Sequence, residues 1–63
     1  MSIEIVVAGA AGRVGRSIVA AALDDAEITL VGALEAAGCD AIGRDAGLVA
    51  GVAEAGVIVS ETP

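Results

Sequence analysis

The stretch VVAGAAGRVGRSIV, residues 6–19, decides how this 63-residue chain folds. It places Gly9, Gly12 and Gly15 at G-x-x-G-x-x-G spacing. In a chain with nine glycines such spacing can arise by chance, so its neighbours have to give it meaning. Upstream, Ile3, Ile5, Val6 and Val7 form a β-branched run broken only by Glu4. A near-continuous apolar run of this length predicts a strand over residues 2–8, buried on both faces as in a parallel sheet. Downstream, Val14, Ile18, Val19, Ala22 and Leu23 fall on one face of a helix expected over residues 12–23, with Arg13, Arg16 and Ser17 on the other side or at its start. Asp24 and Asp25 are disfavoured at a helix C-terminus, where the dipole is negative, so the helix should stop there.

A second apolar run, ITLVGALE, predicts another strand over residues 27–34. Strand, helix, strand within this length is a β-α-β unit, whose right-handed crossover joins two parallel strands. After Glu35 the pattern loosens into a glycine-rich loop with one or two short helical turns, and GVIVSETP suggests a short third strand over residues 57–60. The expected fold class is therefore α/β, a partial Rossmann-type dinucleotide-binding domain with a parallel sheet. No repeat or interdomain hinge interrupts it. Residues 1–63 read as the N-terminal part of such a domain, with any substrate domain absent.

Composition narrows the possible functions. The net charge is −6, with three arginines and no lysine. That leaves no basic footprint for nucleic acid and no basic cluster for an anionic membrane. No apolar stretch reaches the length needed to cross a bilayer, and the N-terminus lacks the basic segment of a signal peptide. Cys39 is the single cysteine and there is no histidine, so neither an internal disulfide, a metal site nor a thiol–imidazole nucleophile is expected. A lone thiol fits a cytoplasmic location. With no Phe, Tyr or Trp, the core has to come from Val, Ile, Leu and Ala, and a chain this small is marginal by itself.

The glycines sit where a strand turns into a helix, which is where phosphate-binding turns occur. Gly9 permits the tight turn, Gly12 lets a pyrophosphate approach backbone N–H groups, and Gly15 lets helix and strand pack closely. Ala10, Ala11 and Val14 complete the turn. The helix N-terminus adds unpaired N–H groups and about half a positive charge. Arg13, inside the turn, can reach a phosphate, whereas Arg16 is read as facing solvent. Glu35, at the tip of the second strand, can accept hydrogen bonds from the adenosine ribose hydroxyls. Binding a 2′-phosphate calls for a basic residue near that tip, but Ala36 and Ala37 follow Glu35. NADH is thus favoured over NADPH.

Two segments, VVAGAAGRVGRSIVAAAL and LVGALEAAGCDAIGRDAGLVAG, resemble the N-terminal part of the bacterial 4-hydroxy-tetrahydrodipicolinate (dihydrodipicolinate) reductase family. The glycine turn is widely shared, whereas the loop containing GRDAG narrows the choice. The resemblance, over roughly residues 3 to 60, implies an NADH- or NADPH-dependent reductase of lysine biosynthesis through diaminopimelate. It implies a cytoplasmic homo-oligomer, a tetramer, acting on a small-molecule substrate. Gly9, Gly12, Arg13, Val14 and Gly15 match the family's pyrophosphate turn, and Glu35 matches its ribose-binding acid. Ala36 stands where the family often has Arg, which puts NADPH use in doubt. The family's His-His pair and Lys have no counterpart in a chain lacking both residue types, so no catalytic residue is expected here. A fragment of the enzyme, inactive alone, is the resulting expectation. Two alternatives stay open: a fragment of another G-x-x-G-x-x-G dehydrogenase or epimerase, or a small non-catalytic module.

Overall fold

A computed structural model describes residues 2–62 of the chain. In order, it contains β1 (Ile3–Ala8), α1 (Arg13–Leu23), β2 (Ile28–Glu35), α2 (Ala46–Val49) and β3 (Val59–Glu61). The strands form one sheet in the order β1-β2-β3, and both pairings are parallel. The α/β class and the β-α-β core are therefore as the sequence predicts. All three strands end at the same edge, which brings Ala8, Glu35 and Glu61 to one side of the molecule. In open parallel sheets, that carboxyl edge is where ligands bind.

The core is small and made of Val, Leu and Ala. Val7 and Leu30, with Ala33 and Val59, cover one sheet face; Val19 of α1 and Ala41 and Ala46 of the following segment close over them. β2 contains an irregularity that makes this possible. Ile5 pairs with Leu30 but Val6 pairs with Gly32, so Val31 is an extra residue on β2. Residues three apart on a regular strand point to opposite faces. The bulge at Val31 resets the alternation, and Leu30 and Ala33 both reach the core while Val31 stays exposed.

Three expectations are corrected. First, β1 is buried on one face only. Val7 is buried and Ile5 partly so, but Val6, on the second face, is exposed, because no described segment packs over that face; Ile3, at the start of the strand, is exposed as well. Second, the inward stripe of α1 is Gly15, Val19 and Ala22, at i, i+4 and i+7. Val14 is 72% exposed, and Ile18 and Leu23 are also exposed. This stripe faces inward because Gly15, which lacks a Cβ, lets the first turn of the helix rest against the backbone of the glycine turn. Third, β3 begins at Val59 rather than Val57. The preceding residues pair locally in an antiparallel sense with residues 43–46: Ala46 N–H donates to Val57 O at 2.8 Å, Val59 N–H to Arg44 O at 2.9 Å, and Gly43 N–H to Val59 O at 2.9 Å.

The remaining boundaries fall within a residue of expectation. Asp24 caps the C-terminus of α1. Asp25 Oδ1 accepts from Glu27 N–H at 2.9 Å, turning the chain into β2. The loop after Glu35 holds a single helical turn, α2. Among the described residues no helix is long and apolar enough to cross a membrane.

Candidate functional site

The site lies where β1 turns into α1, beside the end of β2. Gly9 has φ +70°, a left-handed conformation that side chains other than glycine rarely adopt. Its N–H and that of Ala10 both donate to Leu34 O, at 2.9 and 3.1 Å, so the turn is stitched to β2. Gly12 N–H donates back to Gly9 O at 2.9 Å. Gly15 is buried, and a Cβ there would lie 2.7 Å from Gly9 C and 2.9 Å from Ala10 Cα, and closer still to Gly9 O. The first turn of α1 therefore rests directly on the backbone of the glycine turn. The sequence assigned Gly15 to close packing of helix on strand; its actual neighbour is the turn that the strand feeds.

These bonds leave a defined set of donors free. Gly12 is the N-cap of α1, and no side chain caps the helix. No acidic residue lies in its first turn. Gly9, Ala10, Ala11 and Gly12 all have their N–H groups engaged, whereas Arg16 N–H already bonds within the helix to Gly12 O at 2.9 Å. The N–H groups of Arg13, Val14 and Gly15 have no acceptor among the described residues. They are the orphan donors of a helix start, at the positive end of its dipole. Arg13 and Val14 are exposed beside them. Such an arrangement suits a phosphate, so the residues present fit the phosphates of a dinucleotide.

Glu35 closes the other side. It is the last residue of β2, half-buried, and its Oε2 accepts from Ala11 N–H at 2.9 Å. Its Oε1 accepts from Ala36 N–H at 3.1 Å on the exposed side. Its carbonyl accepts from Thr62 N–H at 2.8 Å and from Thr62 Oγ1 at 3.1 Å. One residue thus joins the glycine turn, β2 and the exit of β3. The structure brings Gly9, Ala10, Ala11, Gly12, Arg13, Val14, Gly15 and Glu35 to a single corner. Ala36 and Ala37, exposed next to Glu35, bring no positive charge there.

Asp45 is a residue whose role was not read from the sequence. It is the buried N-cap of α2. Oδ1 accepts from Gly47 and Ala55 N–H at 2.8 Å each and from Leu48 N–H at 3.2 Å, and Oδ2 accepts from Gly56 N–H at 2.8 Å. The Ala55 hydrogen bond does most to hold its carboxyl below the ordinary range, burial opposes it, and the Gly56, Leu48 and Gly47 bonds add to the lowering. This accounts physically for much of the GRDAG segment: its Asp fastens the loop behind the site. An Asp opening a helical turn is an N-cap signal that could have revealed the cap, though not the reach to residues 55 and 56.

A concavity lies elsewhere, between the C-terminal end of α1 and residues 52–55. Its charged residues are Asp24 and Glu54, which repel a polyanionic ligand. Cys39 is a free, partly buried thiol packed against the core.

A parallel sheet with a glycine turn opening a helix at its carboxyl edge defines a Rossmann-type, nucleotide-binding arrangement. Comparison with known proteins carries this further. Residues 3–63 match the family described as "Dihydrodipicolinate reductase, N-terminus", and the chain belongs to that family. It is 47% identical over 60 residues to the 4-hydroxy-tetrahydrodipicolinate reductase of Rhizobium meliloti, covering 95% of this chain and 25% of that protein. It is 46% identical over 61 residues to the enzyme of the same name from Rubrobacter xylanophilus, covering 97% of this chain and 24% of the other. A third such reductase, from Bradyrhizobium sp., is 51% identical over 49 residues, or 78% of this chain and 18% of that enzyme. The chain thus spans about a quarter or less of the length of these curated relatives.

Proposed function

We propose that residues 1–63 are the first part of the dinucleotide-binding domain of a 4-hydroxy-tetrahydrodipicolinate reductase. The protein that carries them reduces that cyclic small-molecule substrate with NADH or NADPH, in the diaminopimelate route to lysine. The observation that carries this reading is the trio of open N–H groups at Arg13, Val14 and Gly15, presented by a turn whose other amides are all engaged. Those three groups would hold the pyrophosphate, Arg13 would add a charge-assisted contact, and Glu35 would take the adenosine ribose. Bound there, the cofactor would supply the hydride for reduction; the chain's own residues bind and orient its adenosine half. The chain contains neither His nor Lys, so the groups that bind substrate and donate the proton come from outside it. By family resemblance the protein is a cytoplasmic homotetramer, without nucleic-acid or membrane partners.

NADH is the preferred cofactor in this reading. A 2′-phosphate would lie against the Glu35 carboxylate, and two unit charges 4 Å apart repel by about 1 kcal/mol even in water. Ala36 provides nothing to offset that. Calorimetric titration of the protein that carries this chain should give a lower Kd for NADH than for NADPH, and Ala36→Arg should narrow or reverse the gap. NADPH bound about tenfold more tightly than NADH by the unaltered protein, about 1.4 kcal/mol, would overturn the preference. Failure to bind either dinucleotide would overturn the reading itself.

A further inference from the structure

We infer that Glu35 is a positioning residue for the glycine turn as well as a ribose acceptor, with its two carboxylate oxygens dividing the work. The inference rests on the dinucleotide reading only for the ribose half. Ala11 is the one residue of the turn whose N–H bonds to a side chain. Gly9, Ala10 and Gly12 all donate to backbone carbonyls. Without Glu35, Ala11 N–H would have no acceptor in a half-buried position at the middle of the turn. A carboxylate is the stronger kind of acceptor for an amide, because the bond is charge-assisted.

The contact spans 24 positions in sequence, so it ties the turn to the tip of β2 rather than to itself. It is also partly buried, whereas the bond from Oε1 to Ala36 N–H is exposed and longer, at 3.1 Å against 2.9 Å. Oε2 therefore holds the turn before any ligand arrives, and Oε1 is the oxygen available to exchange its neighbour's amide for ribose hydroxyls. Thr62 holds the Glu35 carbonyl from the other side, through its N–H at 2.8 Å and its hydroxyl at 3.1 Å, and limits the drift of the β2 tip. A turn fastened in this way keeps the Arg13, Val14 and Gly15 donors in place in the ligand-free protein, which lowers the ordering cost of binding.

The test uses amide NMR of the ligand-free protein that carries this chain, in the unaltered form and as Glu35→Ala and Glu35→Gln. Ala11 N–H should exchange at least about tenfold faster in Glu35→Ala, as expected when a hydrogen bond is lost, while Gly9 and Gly12 keep their protection. In Glu35→Gln, which retains a weaker acceptor oxygen, the Ala11 amide proton should shift upfield with Gly9 and Gly12 unmoved. Should Glu35→Ala unfold, seen as lost protection at Gly9 and Gly12 together, the Gln variant decides. An Ala11 amide indifferent to Glu35→Gln overturns the proposal. NADH added to the unaltered protein that carries this chain separates the two ideas. Absence of NADH binding with the Ala11 response intact strikes the dinucleotide reading and leaves the positioning role standing. NADH binding with an indifferent Ala11 does the reverse.

Discussion

Gly15→Val should abolish dinucleotide binding and lower thermal stability together. A Cβ at residue 15 meets Gly9 C at 2.7 Å and Ala10 Cα at 2.9 Å, distances that real Cβ atoms essentially never show. Every one of these neighbours is backbone, so no rotamer change relieves the collision. Either α1 lifts off the turn or the turn unravels from β2. Overpacking of this kind costs about 1–3 kcal/mol, and the two γ-methyls of Val place the result at the upper end. For a domain of this size that is a large share of total stability. Lifting the helix also moves the Val14 and Gly15 N–H donors away from the place where the turn aims them. Gly12→Ala provides the contrast. Its Cβ would meet only Gly9 O, at 3.3 Å, so the fold should survive with a small loss. The added methyl nevertheless occupies the exposed approach to the open donors, so NADH affinity should fall with little change in melting temperature. Thermal melts by circular dichroism and NADH titration of both variants check the pair. Equal melting temperatures for Gly15→Val and the unaltered chain would show that the close approach is not needed.

The second large effect is expected at Asp45. Its carboxylate gathers four backbone N–H groups, from Gly47, Leu48, Ala55 and Gly56, so Asp45→Ala leaves all four without their acceptor. Asp45→Asn keeps one acceptor oxygen but turns an NH₂ group toward at least one N–H donor. Both variants should melt at lower temperature at neutral pH, and the pairing of residues 43–46 with 57–59 should be lost first. The sign of the pH dependence follows from the lowered folded pKa. Protons bind the unfolded carboxyl more readily than the folded one, so the stabilisation is complete above the unfolded value, 3.8, and disappears as the pH falls from there through the lower folded value. The unaltered chain should therefore lose stability through that acidic window by more than Asp45→Asn, whose residue 45 has nothing to titrate. Melts at neutral pH and across the acid range, read by circular dichroism, give the comparison. Parallel acid sensitivity in both proteins would remove Asp45 from the account.

The parts of this structure that were legible in the sequence are those set by local pattern. A β-branched run, three glycines at fixed spacing, an alanine-rich helix and a second apolar run ending in Glu35 define the β-α-β core and its corner, because each signal lies within a few residues of its effect. What the sequence hid depends on contacts between distant residues. The inward stripe of α1 follows from where its first turn rests, so Val14 and Ile18 point outward although hydrophobicity alone places them inside. The bulge at Val31 is invisible in ITLVGALE, since an all-apolar run shows no alternation to break. β3 starts late because residues 57–59 pair with residues 43–46, a partnership no local pattern announces. Asp45 looked like part of a family signature, and its four bonds to backbone become apparent only once residues 55 and 56 return beside it.

If the start of α1 is a phosphate site, an amide-resolved NADH titration of the protein that carries this chain will show it. The largest shifts should fall on the Arg13, Val14 and Gly15 amides, with smaller ones at Ala11 and Ala36 around Glu35. Shifts concentrated elsewhere, for instance along the groove between the end of α1 and residues 52–55, or no shifts at saturating NADH, would contradict it.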